Sequence, residues 1–193
     1  MNSKKGIYIG LTALALLALA VVVTACSSGS VRVDGQVTVL LTDAPIDLAG
    51  VNAVNVTVTG VSLLGDDEDG QERRLDLTTG GDMVVNLLDY RNGKTVPLAT
   101  GLVPDGDYSK IRLHVSAAQL ARDDDGDPET PDLIEPVFNP SGKVDVVAPF
   151  TLSAGDEMTI TLDFDAALSI HVNQTNGQHP YILRPVINVA GMH

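Results

Sequence analysis

The sequence predicts an all-β protein, an antiparallel β-sandwich with acidic loop insertions, from three observations. Apolar and polar residues alternate with a period of two in several stretches, which is typical of strands with one buried face. No stretch after residue 30 carries a sustained helical period. Glycine, aspartate and proline separate the alternating stretches and favour turns. Because two sheets with one apolar face each must bury those faces against each other, a sandwich is the expected architecture.

The clearest alternation defines four strands, expected at 31–42, 54–59, 109–115 and 158–165. Shorter strands are predicted at 74–77, 83–87, 143–147 and 181–189. The last of these contains Pro185, which predicts an edge or a bulge because proline cannot donate to the strand ladder. One helical turn is expected at 86–91, before the turn signal Asn92-Gly93. Within the clearest strands, five side chains should face inward: Ile111, Leu113, Ile160, Leu162 and Phe164.

The first 25 residues have the build of a lipoprotein signal peptide. Lys4 and Lys5 precede a long apolar run, and small residues stand directly before Cys26, the only cysteine of the chain. This ending resembles the bacterial lipobox, in which the cysteine is alkylated with diacylglycerol and becomes the mature N-terminus. Residues 26–30 then form the lipidated end and its tether, and 31–193 form one domain. An ordinary signal peptide or an uncleaved membrane helix is the alternative interpretation.

The charge of the chain excludes some partners. Its net charge is −13, and without residues 1–25, which hold two lysines and no acid, it becomes −15. Nucleic acid needs lysine and arginine for its phosphates, so it is not an expected partner. Adsorption to anionic lipid by surface charge is disfavoured for the same reason, which leaves the predicted lipid as the attachment to the membrane.

Several unusual stretches occur in one order along the chain: LLTDAP (40–45), NVTVTGV (55–61), VNLLDYRNG (85–93), GDYSKIRL (106–113), TLDFDAALSIH (161–171) and YILRPVI (181–187). In this order the chain resembles a family of uncharacterised bacterial and archaeal envelope lipoproteins defined by a domain of unknown function. The resemblance covers nearly all of the chain after the signal. It implies a sandwich of the transthyretin-like or carbohydrate-binding-like kind and brings no biochemical activity with it. It also implies that GDYSKIRL follows a turn and that its tyrosine packs at the edge of that turn.

Two acidic clusters, at 65–70 and 122–132, are candidates for calcium binding. Ca²⁺ takes six to eight oxygen ligands from flexible loops, and crowded carboxylates repel unless an ion or solvent screens them. The second cluster offers Asp123, Asp125, Asp127, Glu129 and Asp132. Aligned as an EF-hand on Gly126, it has Ala121 where the first ligand belongs, so only weak affinity is expected. The alternative is a solvated acidic loop.

Asp163 and Asp165 are the only candidates for catalysis. Two carboxylates at i and i+2 lie on one face of a strand at roughly the separation that glycosidases use. The alternative is that they form structural pairs with Arg112 or Arg184. There is no G-x-S-x-G motif, and the four histidines show no zinc-ligand spacing.

Two classes of function therefore remain open. The first is a non-catalytic module, anchored by lipid in the bacterial cell envelope, that binds a glycan, an envelope protein or Ca²⁺ through acidic loops on a rigid scaffold. The second is an envelope hydrolase that uses Asp163 and Asp165. Ser27 after the lipidated cysteine permits an outer-membrane destination.

Overall fold

The fold is described from a computed structural model that covers residues 34–44, 50–67, 69–123, 125–127, 133–172 and 180–193. The predicted signal peptide, Cys26, the tether and residues 31–33 lie outside the described residues. No helix within the described ranges is long and apolar enough to cross a membrane.

The smaller of two sheets has four strands. The chain enters it at β1 (Gly35–Thr42), which pairs with β5 (Val96–Val103) on one side and β9 (Glu157–Phe164) on the other. The last strand, β12 (Ile187–Met192), pairs with the outer edge of β9. The β1–β9 pair is parallel, whereas the other two pairs are antiparallel.

The larger sheet is built on two long strands, β2 (Val51–Asp66) and β6 (Gly106–Arg122), which pair antiparallel along most of their length. The free edge of β2 carries β3 (Glu72–Leu77) and β4 (Met83–Asn86) one after the other. The free edge of β6 carries β7 (Leu133–Phe138) and β8 (Lys143–Leu152). Beyond β7 lie β11 (Tyr181–Leu183), which is parallel to it, and β10 (Ile170–Val172).

The inner faces of the two sheets form the core, as the period-two pattern predicts. Ile111, Leu113, Ile160 and Leu162 are completely buried, and Phe164 is nearly so. The fold class and the inward register are therefore confirmed. The Tyr108 ring is buried in this core, stacked on Phe150 at 5.1 Å between centroids. Its hydroxyl donates to the Pro104 carbonyl oxygen at 2.8 Å, which satisfies the one polar atom of the ring.

The helical turn predicted at 86–91 is a 3-10 helix over Leu87–Tyr90, and Asn86 caps it through a bond from the Leu88 amide. The segment predicted as one strand at 181–189 is instead divided into β11 and β12, with Pro185 between them. Sequence analysis missed β5, β7, β10 and the four-residue helix α1 (Ala166–Ser169). Pro97, Gly101 and Pro136 interrupt the alternation of β5 and β7, which explains why the period-two pattern did not show these two strands.

The register of β9 can be tested by truncation. Leu162→Ala should lower the free energy of unfolding by about 2–5 kcal/mol, because it removes buried apolar surface and leaves a cavity. Thr161→Ala, on the opposite face of the same strand, is the matched control and should cost far less. Urea denaturation of both variants measures the difference, and equal losses would contradict the register described here.

Candidate functional site

Five aspartates from two loops line an open cleft of about 690 Å³ at one end of the sandwich. The end of β2 and the loop after it contribute Asp66, Asp67 and Asp69, and the turn before β6 and the start of β6 contribute Asp105 and Asp107. We call this site the acidic cleft. Sequence analysis identified the first of these loops, but it did not join the second loop to it because the two are separated by about 40 residues.

The two loops meet because β2 and β6 approach each other closely. A Cβ atom on Gly65 would clash with the backbone carbonyl oxygen of Asp107, so only glycine fits there. Asp67 closes its own loop by accepting bonds from the amides of Asp69 and Gln71, at 3.0 and 2.7 Å. Asp107 accepts a bond from the Thr151 hydroxyl at 2.6 Å. The Asp67 and Asp107 carboxylates are thus held by hydrogen bonds, and the β2–β6 pair brings their two segments together.

One cation, Arg73 of β3, lines the acidic cleft. Its guanidinium lies over the Tyr108 ring, 4.8 Å from the centroid, in a cation–π contact. It also lies against Gly106, whose φ of +140° and lack of a side chain leave room for it. The position of this arginine is therefore set by the aromatic core, while the five carboxylates around it leave the cleft with an excess of negative charge.

The predicted calcium loop lies at the opposite end of the β2–β6 pair, where the Asp123 amide donates to the Gly50 carbonyl oxygen at 3.2 Å. Asp123 accepts a bond from the Gly126 amide at 2.6 Å, and Asp125 accepts one from the Asp127 amide at 2.9 Å. Glu129 and Asp132 lie outside the described residues. Among the residues that are described, no group of three or more acidic, histidine or cysteine side chains is arranged to hold a metal ion.

Asp165 lies at the end of β9 and begins α1. Its side chain accepts a bond from the Leu168 amide at 2.9 Å, which is the N-cap contact of a helix. Its carbonyl oxygen accepts bonds from the amide and the hydroxyl of Ser169, at 3.1 and 2.5 Å. The Ser169 hydroxyl oxygen in turn accepts a bond from the Val186 amide at 2.8 Å. Asp165 is therefore linked, through Ser169, to the segment directly before the last strand.

Asp163 has one carboxyl oxygen, Oδ1, buried without a hydrogen-bond partner in the part of the chain that the structure describes. Burial raises the pKa of this carboxyl, and the nearby negative charge of Asp165 adds to the rise. Arg112, considered above as its partner, instead forms a two-pronged ion pair with Asp145 at 2.5 and 2.7 Å. Among the described residues, Arg184 forms no ion pair with either Asp163 or Asp165.

A third acid, Asp43, joins this end of the sandwich, and sequence analysis did not single it out. It follows β1, where Thr42 is level with Asp163 in the parallel pair. Only 2% of it is exposed, and its Oδ1 accepts a bond from the Ala166 amide at 2.9 Å. The sequence did carry a signal for Asp43. The inward positions Val37, Val39 and Leu41 recur every two residues, and Asp43 is the next position in that series.

The structure also brings together Ser62, Asp76 and His114 on the outer face of the larger sheet, although they are far apart in sequence. The Ser62 hydroxyl donates to Asp76 at 2.6 Å, and Arg74 donates to the same carboxylate at 2.8 Å. These two bonds hold the pKa of Asp76 below its usual range. His114 Nε2 lies 3.1 Å from the Ser62 hydroxyl oxygen, and burial lowers the pKa of this histidine.

This arrangement differs from a serine-hydrolase triad in two respects. In a triad the histidine takes the serine proton and the aspartate orients the histidine. Here the Ser62 proton points to Asp76, so His114 must donate to the hydroxyl oxygen through Nε2 if the two are hydrogen-bonded. Ser62 is also completely buried. The cluster therefore satisfies a buried hydroxyl and ties β3, β2 and β6 together.

A family model described as a domain of unknown function, DUF4382, matches residues 34–185. The match covers most of the chain, and the chain therefore belongs to this family. No curated protein matches the sequence. The family match confirms membership of an uncharacterised family and supplies no activity.

The role of Asp165 as an N-cap can be separated from its charge. Asp165→Ala removes the bond to the Leu168 amide and should lower the free energy of unfolding by about 0.5–2 kcal/mol. Asp165→Asn removes the charge but keeps an oxygen that can accept the same bond, so it should cost much less. Urea denaturation compares the two variants, and similar losses in both would argue against the capping role.

Proposed function

We propose that this member of the DUF4382 family is a non-catalytic module of the bacterial cell envelope, anchored by a lipid on Cys26, and that it binds a cationic segment of an envelope protein in the acidic cleft. The observation that supports binding is the convergence of five carboxylates, from the facing ends of β2 and β6 and the turns beside them, around an open cleft of about 690 Å³. A volume of this size accommodates lysine or arginine side chains and is far larger than one cation requires.

Charge complementarity supports a cationic partner. Among the described residues that line the cleft, the five carboxylates are opposed by one cation, the guanidinium of Arg73, which lies over Tyr108. Carboxylates clustered in an open cleft concentrate the negative potential and attract positively charged groups, with a strength that falls as salt is added. An arginine or lysine side chain that enters the cleft would reduce the repulsion among the carboxylates.

A non-catalytic role is supported by the way the alternative catalytic residues are used. Asp165 caps α1, and Asp163 has one oxygen buried at the end of the sheet. Ser62 is buried, and its hydroxyl donates a hydrogen bond to Asp76. Asp165 and Ser62 therefore each have a structural contact that a catalytic base or nucleophile would have to give up, which disfavours the hydrolase alternative.

The position of the cleft suits a partner at the membrane. The N-terminal end of β1 pairs with the end of β5, since Gly35 lies opposite Val103, and Asp105 of the cleft follows two residues later. Eight residue steps separate Cys26 from Asp34, so a lipid on Cys26 would keep the start of the fold within about 30 Å of the membrane surface.

Lipid anchoring can be tested at Cys26. With the lipid attached, the protein should partition into detergent and resist washing at high salt, because two acyl chains provide stable attachment. Cys26→Ser should block lipidation and the signal cleavage that depends on it, and the full-length precursor should accumulate. Phase partitioning and the mass of the N-terminal peptide report the result. A serine variant that is processed and anchored like the parent would refute the anchor.

Binding in the acidic cleft can be tested with an oligolysine peptide and two variants of equal charge. Replacing Asp66, Asp69 and Asp105 with asparagine should weaken binding roughly 3- to 150-fold, at about 0.2–1 kcal/mol for each exposed ion pair lost. The matched control replaces Asp123, Asp125 and Asp127 at the opposite end and should bind like the parent. Calorimetry at two salt concentrations measures the affinities. Equal weakening in both variants would mean that the peptide follows net charge rather than the cleft.

The same two variants test the predicted calcium loop. If the 123–132 loop binds Ca²⁺ in the weak range of about 10⁻⁴ to 10⁻³ M, only the Asp123, Asp125 and Asp127 variant should lose a calcium-dependent rise in melting temperature. A rise lost only in the cleft variant would place the calcium site in the acidic cleft instead. If Ca²⁺ has no effect on the parent at about ten times the weakest expected dissociation constant, the loop is a solvated acidic loop.

A further inference from the structure

Asp43 lies where three separate segments of the fold meet. Its backbone amide donates to the Tyr90 carbonyl oxygen at 3.0 Å, at the end of the 3-10 helix. The preceding Thr42 hydroxyl donates to the same oxygen at 2.9 Å. The Asp43 side chain accepts a hydrogen bond from the Ala166 amide at the start of α1. One residue therefore connects the end of β1 with both helical turns.

The carboxyl group of Asp43 is only half satisfied. Its Oδ1 has the Ala166 amide as a partner, whereas its Oδ2 is buried and has no hydrogen-bond donor among the described residues. A buried carboxylate oxygen that lacks a donor loses its hydration without replacement, and this penalises the ionised form much more than the neutral form.

The charges around Asp43 add to this penalty. Asp163 of β9 and Asp165 at the start of α1 both act on it as negative charges, and Asp163 has its own buried oxygen without a donor. Arg91, after the 3-10 helix, is the opposing positive charge. On β12, the residue level with Asp163 is Asn188, which is neutral.

Burial is the largest cause that raises the pKa of Asp43, to about 6, and the negative charges of Asp163 and Asp165 add to the rise. The Ala166 bond and Arg91 act in the opposite direction and are too weak to cancel it. The proton of Asp43 is thus expected to come off in a mildly acidic to neutral range rather than near pH 4.

We propose that Asp43 is a proton-dependent contact, whose neutral carboxyl closes the end of the sandwich where β1, the 3-10 helix and α1 meet, and whose ionisation loosens that end. The inference does not rest on the proposed binding function, because the acidic cleft contains none of these residues. This end of the fold would then respond to pH, which the sequence motifs alone do not reveal.

The direction of the effect follows from linkage. The pKa of Asp43 is higher in the folded state, at about 6, than its ordinary value of 3.8, so the folded state binds the proton more tightly. The resulting stabilisation is complete below about pH 4 and is lost as the pH rises through about 6. An opening that breaks the Asp43–Ala166 contact and also exposes the carboxyl to water, where its pKa returns to 3.8, should become about tenfold more frequent between about pH 5 and pH 7.5.

Amide hydrogen exchange of the full-length protein in detergent tests this proposal. After correction for intrinsic exchange rates, protection of the Ala166 amide should fall about tenfold between about pH 5 and pH 7.5. Asp43→Asn keeps an oxygen that can accept the Ala166 amide and has no proton to lose, so it should abolish most of this pH dependence. Asp163→Asn should shift the change to lower pH, because it removes one of the negative charges that act on Asp43.

Asp145→Asn is the matched control, since Asp145 is a carboxylate paired with Arg112 on the other sheet, and it should retain the pH dependence of the parent. The carboxyl carbon of Asp43, followed by NMR in the parent, gives a reading that needs no variant. A midpoint below about pH 4.5, or the same pH dependence of Ala166 protection in the parent and in Asp43→Asn, would overturn the proposal.

Discussion

The hydrogen-bonded pairing of β2 with β6 is the constraint on which the rest of the structure depends. Each of these strands is long enough to carry two shorter strands on its free edge, so one pair organises β3, β4, β7 and β8. Its inward side chains supply much of the core, and its two ends set where the acidic loops emerge. The close approach at Gly65 shows how tightly this pair holds one of those ends.

The strong negative charge of the chain is tolerated because the acids are distributed between two different environments. Most lie on loop tips or edges, where solvent screens their repulsion. Asp43 and Asp163 are different, because each has a carboxyl oxygen buried without a donor. Both lie near α1 and the parallel β1–β9 pair, in the segments that carry the TDAP and LDFDA motifs. These two carboxyls with raised pKa therefore lie at the same end of the fold, which is where a change of pH should act first.

Much of the fold was predictable, and less of the candidate site. The alternation around Ile111 and Leu162 identified strands and their inward faces correctly, because burial on one face leaves a period of two in the sequence. The strands with proline or glycine escaped notice, since Pro136 and Gly101 break that period. Of the acidic cleft, the sequence showed the run Asp66 to Asp69 but not its meeting with Asp105 and Asp107. That meeting depends on strand pairing between distant residues, which no local pattern encodes.

By itself the sequence determined the all-β class, the inward faces of the main strands, the helical turn after Asn86 and the presence of two acidic loops, because each of these follows from local spacing and residue type. Only the tertiary structure decided which polar groups became neighbours. It placed Arg112 with Asp145, turned Asp165 into a helix cap, and buried Ser62 with Asp76. It also left Asp43 enclosed with one carboxyl oxygen lacking a donor. The physical reason is that hydrogen bonds and pKa values depend on distance and burial in three dimensions, and residues far apart in sequence set both.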